Sequence, residues 1–221
     1  MYYGLFILSF VIVFGAQLLV MGAYGKYKTV EAKKGLTGLE VARRILDING
    51  LNEIYVVETK GKMSDHYDPK NKVVRLSPDV YHKKSIASVA IAAHECGHAI
   101  QHKKRYWFLI IRNLIVPIVN LASKMGYLIL VIGFLSSALK IAMIGLILLG
   151  ATLLFQLITL PVEFNASSRA KKILIEENLI YEDEKSKIGN MLNAAAMTYV
   201  AALISNFLEM FRLFLIISKR D

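Results

Sequence analysis

The sequence predicts a mainly α-helical membrane protein with about four transmembrane helices and a small α+β lobe in water. Hydrophobic residues make up 55% of its 221 residues, against roughly 45–50% in ordinary soluble domains, and they form a few long runs. Basic residues flank these runs, and Lys plus Arg number 27 against 17 acidic residues. This distribution is typical of membrane proteins, so the net charge of +10 does not indicate nucleic acid as a partner.

Residues 1–25 are predicted to form the first transmembrane helix. Leu5 to Met21 is almost wholly apolar, with Gln17 as its strongly polar side chain, and about 20 such residues span a bilayer core of about 30 Å. The alternative is a secretory signal peptide. Residues 1–4 have no basic start, and no convincing small-residue cleavage site follows the apolar run. We therefore expect a retained membrane helix.

Residues 26–112 are polar and basic and are predicted to form the α+β lobe. Thr37 to Glu40 has the pattern of a capping box that opens a helix. Segments 53–58 and 72–76 are rich in β-branched and aromatic residues and predict two strands. Ser85 to Arg105 predicts a further helix, with Ala and Ile dominating its first half and basic residues near both ends.

Residues 113–162 are predicted to form a transmembrane hairpin. The second apolar run of this hairpin ends at Pro161, and a proline often marks a helix boundary. Residues 163–190 are polar again and predict an amphipathic helix beside the membrane. The chain thus returns to water after the hairpin.

Residues 191–221 predict a fourth, less regular membrane segment, because Glu209 and Arg212 lie within it. The two side chains are three residues apart and can pair on one helix face, which would allow a full span. The alternative is a helix that lies partly in the membrane interface. Both interpretations stay open.

The distribution of basic residues sets the predicted orientation. Segments 26–112 and 163–190 carry many Lys and Arg, whereas the N-terminus and the link at 136–140 carry almost none. Because basic loops stay on the cytoplasmic side, both polar segments are predicted to face the cytoplasm. The sequence therefore predicts a multi-pass cell-membrane protein whose polar segments could share one site on that side.

The segment His94–His98 has the pattern H-E-x-x-H. Two histidines four residues apart lie on one helix face, so His94 and His98 can bind one zinc ion. Glu95 lies one step around the helix, where its carboxylate can act as general base on water. The alternative, two ordinary surface histidines, is disfavoured by the surrounding Ala and Ile residues. Cys96, the one cysteine, points about 200° away from His94 and is predicted to be a packed structural side chain.

A catalytic zinc site needs a third protein ligand and an open position. Glu163 follows Pro161 at the predicted cytoplasmic end of a span, which makes it the best candidate. An acid in the first turn of a helix also stabilises the helix dipole, so ligand and helix cap both stay open. His102 lies one turn after His98, and an interfacial or surface role is favoured because three ligands on one helix would strain a tetrahedral site.

Three segments are similar to motifs of a known family: Ser64–Pro69, Ala92–His102 and Leu160–Ser167. With them, most of the chain resembles the YugP-like zinc metallopeptidases of bacterial membranes, distant relatives of the HtpX and CAAX-prenyl-protease group. The resemblance implies a zincin-like lobe and one zinc ion per chain. It also implies a general base and three zinc ligands, which are Glu95, His94, His98 and Glu163.

Five further residues around these motifs bear on the predicted site. Ser167 stands where the wider HtpX-type group has an Asp, and Asn165 stands where closer relatives are expected to have an acid, so Asn165 is a candidate to support a histidine. His66 or Tyr67 is a candidate to stabilise the oxyanion, and Tyr199 is another. For the segment around His66, an ordinary turn between two strands is the favoured alternative.

These observations predict a membrane-embedded zinc-dependent endopeptidase that cleaves unfolded or membrane-associated proteins on the cytoplasmic side. An edge of strand 53–58 or 72–76 would suit an extended substrate. The alternative is a zinc-stabilised membrane scaffold or partner-binding protein with little peptidase activity, and Glu95 argues against it because a structural site needs no general base. The expected partners are the lipid bilayer, a protein substrate, and another membrane protein or a second copy of the chain.

Overall fold

The computed structural model describes residues 2–219. Over this range it contains seven α-helices, namely α1 (Tyr2–Tyr27), α2 (Gly38–Ile48), α3 (Pro78–His82), α4 (Ile86–Lys103), α5 (Trp107–Leu135), α6 (Leu139–Glu176) and α7 (Lys185–Ser218). Its strands are β1 (Tyr55–Glu58), β2 (His66–Asp68) and β3 (Val73–Leu76), and a short 3-10 helix covers Glu182–Glu184. Within these residues, four helices (α1, α5, α6 and α7) are long and apolar enough to cross a membrane. The predicted mainly helical membrane fold is confirmed.

The described residues form two compact units. The membrane unit comprises residues 2–17, 107–161 and 197–219, and the lobe comprises residues 18–106 and 162–196. Helices α1, α6 and α7 each contribute residues to both units. All the chemistry-bearing residues of the H-E-x-x-H segment lie in the lobe.

Small residues bring α5 and α6 together in the membrane unit. A Cβ atom on Gly133 would lie 2.3 Å from the backbone nitrogen of Ala142, and one on Gly145 would lie 2.4 Å from that of Leu130. The two helix backbones can approach this closely only because both positions are glycine. Small residues often have this role where membrane helices pack. Dispersion contacts between the two helices thus replace the hydrophobic effect, which lipid does not supply.

Two polar side chains inside the membrane unit, Asn206 and Arg212, have side-chain partners. The Asn206 amide donates to Thr152 Oγ1 at 2.8 Å and to Gln156 Oε1 at 3.1 Å, which joins α7 to α6. Arg212 Nε donates to Glu209 Oε2 at 2.9 Å, which confirms the predicted pair. Each bond satisfies a group that would be costly to leave unpaired in lipid.

Helix α4 is the central helix of the lobe. It begins after Ser85, whose Oγ accepts from the Ser88 backbone N–H at 3.1 Å. Apolar side chains around its whole circumference, such as Val89, Ala90 and Ala99, are buried. A helix that is apolar on all sides belongs in a core, and α4 packs there beside α2 and the sheet. The predicted capping box of α2, at Thr37 and Glu40, is confirmed.

The sheet has the strand order β1-β3-β2 in the described chain. β1 pairs parallel to β3, and β2 pairs antiparallel to it, with Tyr67 opposite Val74. The preferred interpretation of this segment as a turn is therefore wrong, because residues 66–68 form a strand. The strand predicted at 72–76 is the middle one, so it offers no edge to a substrate; the edges belong to β1 and β2.

Helix α6 continues through Pro161, so the predicted helix end at this proline is wrong. Proline lacks an N–H and removes one intrahelical hydrogen bond. In membrane helices, neighbouring groups often form a hydrogen bond with the carbonyl that is left free. Glu163 consequently lies inside a helix of 38 residues. It is not a first-turn residue, and helix capping no longer explains it.

Candidate metal centre

Three side chains from α4 and α6 converge in the lobe. His94 Nε2 lies 3.3 Å from Glu163 Oε2, and His98 Nε2 lies 3.5 Å from the same oxygen. The two imidazole rings are 4.8 Å apart between centroids and nearly perpendicular. All three candidate ligand atoms lie within 4.8 Å of one another.

This geometry suits a zinc ion. Zinc bonds to nitrogen and oxygen of about 2.0–2.1 Å in a tetrahedron place neighbouring ligand atoms about 3.3 Å apart, close to both distances above. The side chain of Glu163 is only 5% exposed, whereas those of His94 and His98 are 16% and 11% exposed. The site is thus closed on the carboxylate side and retains some access from solvent on the histidine side.

A glycine lets the two helices approach closely at this point. A Cβ atom on Gly97 would lie only 2.7 Å from the backbone oxygen of Ala166. Any larger residue would therefore push α4 away from α6. Because Gly97 lies next to His98, this close contact brings the histidines within reach of Glu163.

Each histidine has a neutral partner for its second nitrogen. His94 Nδ1 lies 3.1 Å from Ser167 Oγ on α6, and His98 Nδ1 lies 3.0 Å from Gln101 Oε1 on α4. A histidine that binds a metal through Nε2 usually donates its Nδ1–H to such a group, which fixes the ring orientation. The ligand pair is thus supported by a hydroxyl and an amide.

The Gln101 amide extends this support to α6. Its nitrogen donates to the backbone oxygen of Val162 at 2.8 Å and to Asn165 Oδ1 at 3.0 Å. Arg169 Nε donates to the same Asn165 oxygen at 2.7 Å. Asn165, predicted as a histidine support, therefore contacts Gln101 rather than a histidine.

Glu95 lies beside the three candidate ligands and is only 8% exposed. Burial raises the pKa of its carboxyl to about 7, the nearby His94 opposes the rise, and the negative charges of Glu163 and Asp65 add to it. The backbone N–H of Tyr67 also interacts with the carboxylate and lowers its pKa. A pKa near neutrality suits a group that both accepts and donates a proton.

The remaining predicted residues lie in different places. The Tyr67 hydroxyl is 2.9 Å from His102 Nδ1, and burial raises the pKa of Tyr67 to about 12. His66 is exposed, with its Nδ1 2.8 Å from the Ser64 carbonyl oxygen. Tyr199 lies in the part of α7 that belongs to the membrane unit and is 40% exposed.

Cys96 confirms the prediction of a packed cysteine. It has no solvent exposure, and its Sγ lies 3.6 Å from the backbone oxygen of Ala42. Burial raises the pKa of the thiol, so the sulfur stays protonated and is a poor metal ligand.

Two supporting residues were missed in the sequence. Gln101 is three residues after His98, a spacing that places both on one helix face, so a local signal for this contact was present. Ser167 was noted only as a departure from relatives. Its contact with His94 joins residues 73 positions apart, and no spacing rule predicts such a contact.

Four apolar helices and a triad of His94, His98 and Glu163 that could hold a metal are features of a membrane metalloenzyme. Residues 2–218 match the family described as "Putative neutral zinc metallopeptidase". Over 209 residues the chain is 47% identical to "Putative membrane protease YugP" of Bacillus subtilis (strain 168), covering 94% of this chain and 93% of that protein. No solved structure matches significantly. The chain belongs to this zinc metallopeptidase family, as its motifs predicted.

Proposed function

We propose that the chain is a zinc-dependent endopeptidase embedded in the cell membrane, with one zinc ion per chain. Its substrates are unfolded or membrane-associated proteins, cleaved on the cytoplasmic side. The observation that carries the proposal is Glu95, a buried carboxylate that interacts electrostatically with His94 and Glu163 of the candidate metal centre. A structural zinc site has four closed ligands and no use for such a group.

The residues divide into ligands and a proton carrier. His94, His98 and Glu163 would hold zinc, which lowers the pKa of bound water toward about 7 and polarises the scissile carbonyl. The Glu95 carboxylate takes a proton from the attacking water and passes it to the nitrogen of the leaving amine. Burial raises the pKa of Glu95 above that of a solvent-exposed carboxyl, which favours the step in which Glu95 holds the proton.

The edge of β2 is the proposed platform for substrate. β2 pairs with β3 on one side, and its Tyr67 N–H interacts with Glu95. An extended peptide that adds to this edge as a further strand would bring its backbone beside the general base. This mode selects flexible or unfolded chains, because a folded protein rarely offers a free extended segment.

Tyr67 is the best supported of the candidates for stabilising the oxyanion. Its pKa of about 12 keeps the hydroxyl protonated at neutral pH, so the group can donate a hydrogen bond to developing negative charge. The hydroxyl contacts His102 Nδ1, which orients it on the β2 side of α4. His66, Asn165 and Tyr199 have no comparable support for this role.

The cytoplasmic orientation rests on charge. Within 26–112 and 163–190 basic residues are frequent, whereas the link at 136–140 contains only Lys140. Because Lys and Arg near membrane helices favour the cytoplasmic side, this asymmetry supports a cytoplasmic lobe. The four long apolar helices make the lipid bilayer the first partner of the protein.

The test compares wild type with Glu95→Gln after purification in detergent. We expect one zinc ion per chain in both proteins, and cleavage of an unstructured casein substrate by wild type alone. The loss of activity should reach about 10²–10⁴-fold, the usual contribution of a general base. Glu177→Gln, which changes an exposed acid of the lobe, is the matched control and should retain both zinc and activity.

Two results would contradict the proposal. Absence of zinc from wild type would contradict the metal site itself. Zinc in both proteins with cleavage by neither, against casein and against an unfolded membrane-protein tail, would favour the zinc-stabilised scaffold.

A further inference from the structure

Gln101 is a fully buried amide that joins the two helices of the candidate metal centre. It has no solvent exposure. Its Oε1 lies 3.0 Å from His98 Nδ1, and its Nε2 donates to the Val162 carbonyl and to Asn165 Oδ1. Leaving one end of such an amide unpaired in a core is unfavourable, and here both ends are paired.

The direction of each hydrogen bond in this network is fixed by chemistry. Arg169 Nε can only donate, so the Asn165 atom that it contacts must be the oxygen. Val162 and Asn165 therefore both present acceptors to Gln101, and the atom that faces them must be the amide nitrogen. A reversed Gln101 amide would place an oxygen against two oxygens.

The same chain of hydrogen bonds identifies the ring nitrogen of His98 that donates to Gln101. With its nitrogen engaged on α6, Gln101 presents an oxygen to His98 Nδ1, and an amide oxygen can only accept. His98 Nδ1 must then carry a proton, so Nε2, which lies 3.5 Å from Glu163 Oε2, is the nitrogen that would bind zinc. His94 has no such constraint, because the Ser167 hydroxyl can donate or accept.

We propose that Gln101 is the positioning residue of this metal centre. It fixes the tautomer and the ring direction of His98, and it holds the segment that carries Glu163 against α4. The inference rests on the proposed zinc site and assigns to Gln101 a role in metal affinity. Arg169 acts at the far end, where it orients the Asn165 amide that receives Gln101.

Two substitutions at this position separate the two parts of the role. Gln101→Met conserves volume but removes every hydrogen bond, and it should weaken zinc binding about 10–100-fold, the usual effect of losing a partner of a metal ligand. Gln101→Glu keeps an oxygen acceptor for His98 but presents a carboxylate oxygen to Val162 and Asn165. It should keep the zinc dissociation constant within about threefold of wild type, because a carboxylate supports a ligand histidine well.

Stability should change in the opposite order. The zinc-free Gln101→Glu protein should unfold at a lower temperature than zinc-free Gln101→Met, because a buried carboxylate facing two acceptors is less favourable than a buried thioether. Zinc affinity is measured by competition with a chromophoric chelator, and the visible spectrum of the cobalt-loaded protein reports the ligand geometry. Ile100→Val, a neighbouring buried position, should leave the zinc affinity and cobalt spectrum unchanged.

The order of the two affinities decides the inference. A residue that served only to stabilise the fold would give zinc affinities that follow stability, with Gln101→Glu weaker than Gln101→Met. That order, or a wild-type affinity and cobalt spectrum in Gln101→Met, would overturn the inference. If Gln101→Met does not fold, Asn165→Ala replaces it, and an affinity equal to wild type in that variant would also overturn the inference. A wild-type protein that binds no zinc would instead contradict the proposed function.

Discussion

Helices α4 and α6 both supply ligands to the candidate metal centre, but only the ligands on α4 are recognisable from their spacing in the sequence. On α4, the two histidines are four residues apart, so the helix itself brings them onto one face. On α6, Glu163 lies in a helix of 38 residues whose first part belongs to the membrane unit. The position of Glu163 depends on tertiary packing. Local spacing therefore identifies half of the site, and the contact between the two helices creates the rest.

That contact depends on a few atoms. The Cα of Gly97 faces the Ala166 carbonyl, and the Gln101 amide is bonded to the Val162 carbonyl one turn further along. Both contacts flank Glu163 in the sequence of α6. Two of the contacts that hold α4 against α6 are thus made to backbone carbonyls of α6. A backbone carbonyl is present at every residue, so the H-E-x-x-H segment alone does not predict the third ligand.

The largest expected effect is that of Glu163→Gln, which removes the contribution of α6 to the triad. Loss of a group that only supports a ligand already costs about 10–100-fold in metal affinity, so loss of the ligand charge should exceed about 100-fold. Zinc content after dialysis and the zinc dissociation constant measure this. Glu176→Gln, an exposed acid at the end of the same helix, is the control. Equal zinc affinity in Glu163→Gln would show that α6 is not part of the metal centre.

Gly97→Ala should disturb the contact between α4 and α6 while leaving the ligand side chains of both helices in place. The added Cβ would meet the Ala166 carbonyl at 2.7 Å, and overpacking of this kind costs about 1–3 kcal/mol. We expect a lower unfolding temperature together with weaker zinc binding. Gly189→Ala is the matched control, because its Cβ would meet only the flexible end of Lys171 and alanine favours a helix by up to about 1 kcal/mol. Stability and zinc affinity unchanged in Gly97→Ala would refute the importance of the close approach.

Features that depend on residues close together in the chain are predictable from the sequence. The capping box at Thr37 follows from a helix-start motif, and the pair of Glu209 with Arg212 and the direction of Cys96 follow from helix periodicity. The structure confirms each. Strand β2 failed because three residues are too short for an alternating pattern to emerge. The end predicted at Pro161 failed because local propensity yields to packing, which can satisfy the carbonyl that proline leaves free.

Ser167→Ala should have a smaller effect than the substitutions at the helix contact. It removes the partner of His94 Nδ1, a single bond of 3.1 Å, and we expect zinc affinity to fall by about tenfold, the lower end for such partners. Ser168→Ala changes the exposed neighbouring hydroxyl and should have no effect. A loss of zinc affinity as large as that of Glu163→Gln would mean that Ser167 does more than support a histidine. Helix α6 would then contribute more to the metal centre than its one ligand.

The smallest expected effect is that of Tyr67→Phe on β2. It tests the contact between β2 and the last turn of α4, which lies beyond the contact of α4 with α6. The substitution removes the hydroxyl that contacts His102 and leaves the backbone N–H near Glu95 in place. Zinc affinity should not change, because neither residue belongs to the triad. Turnover of an unstructured substrate should fall by about 2–10-fold, which corresponds to one hydrogen bond of about 0.5–1.5 kcal/mol. Tyr55→Phe, on the exposed β1 edge, is the matched control and should retain full turnover. A weaker zinc affinity in Tyr67→Phe would show instead that β2 supports the metal centre and that α4 and α6 do not build it alone.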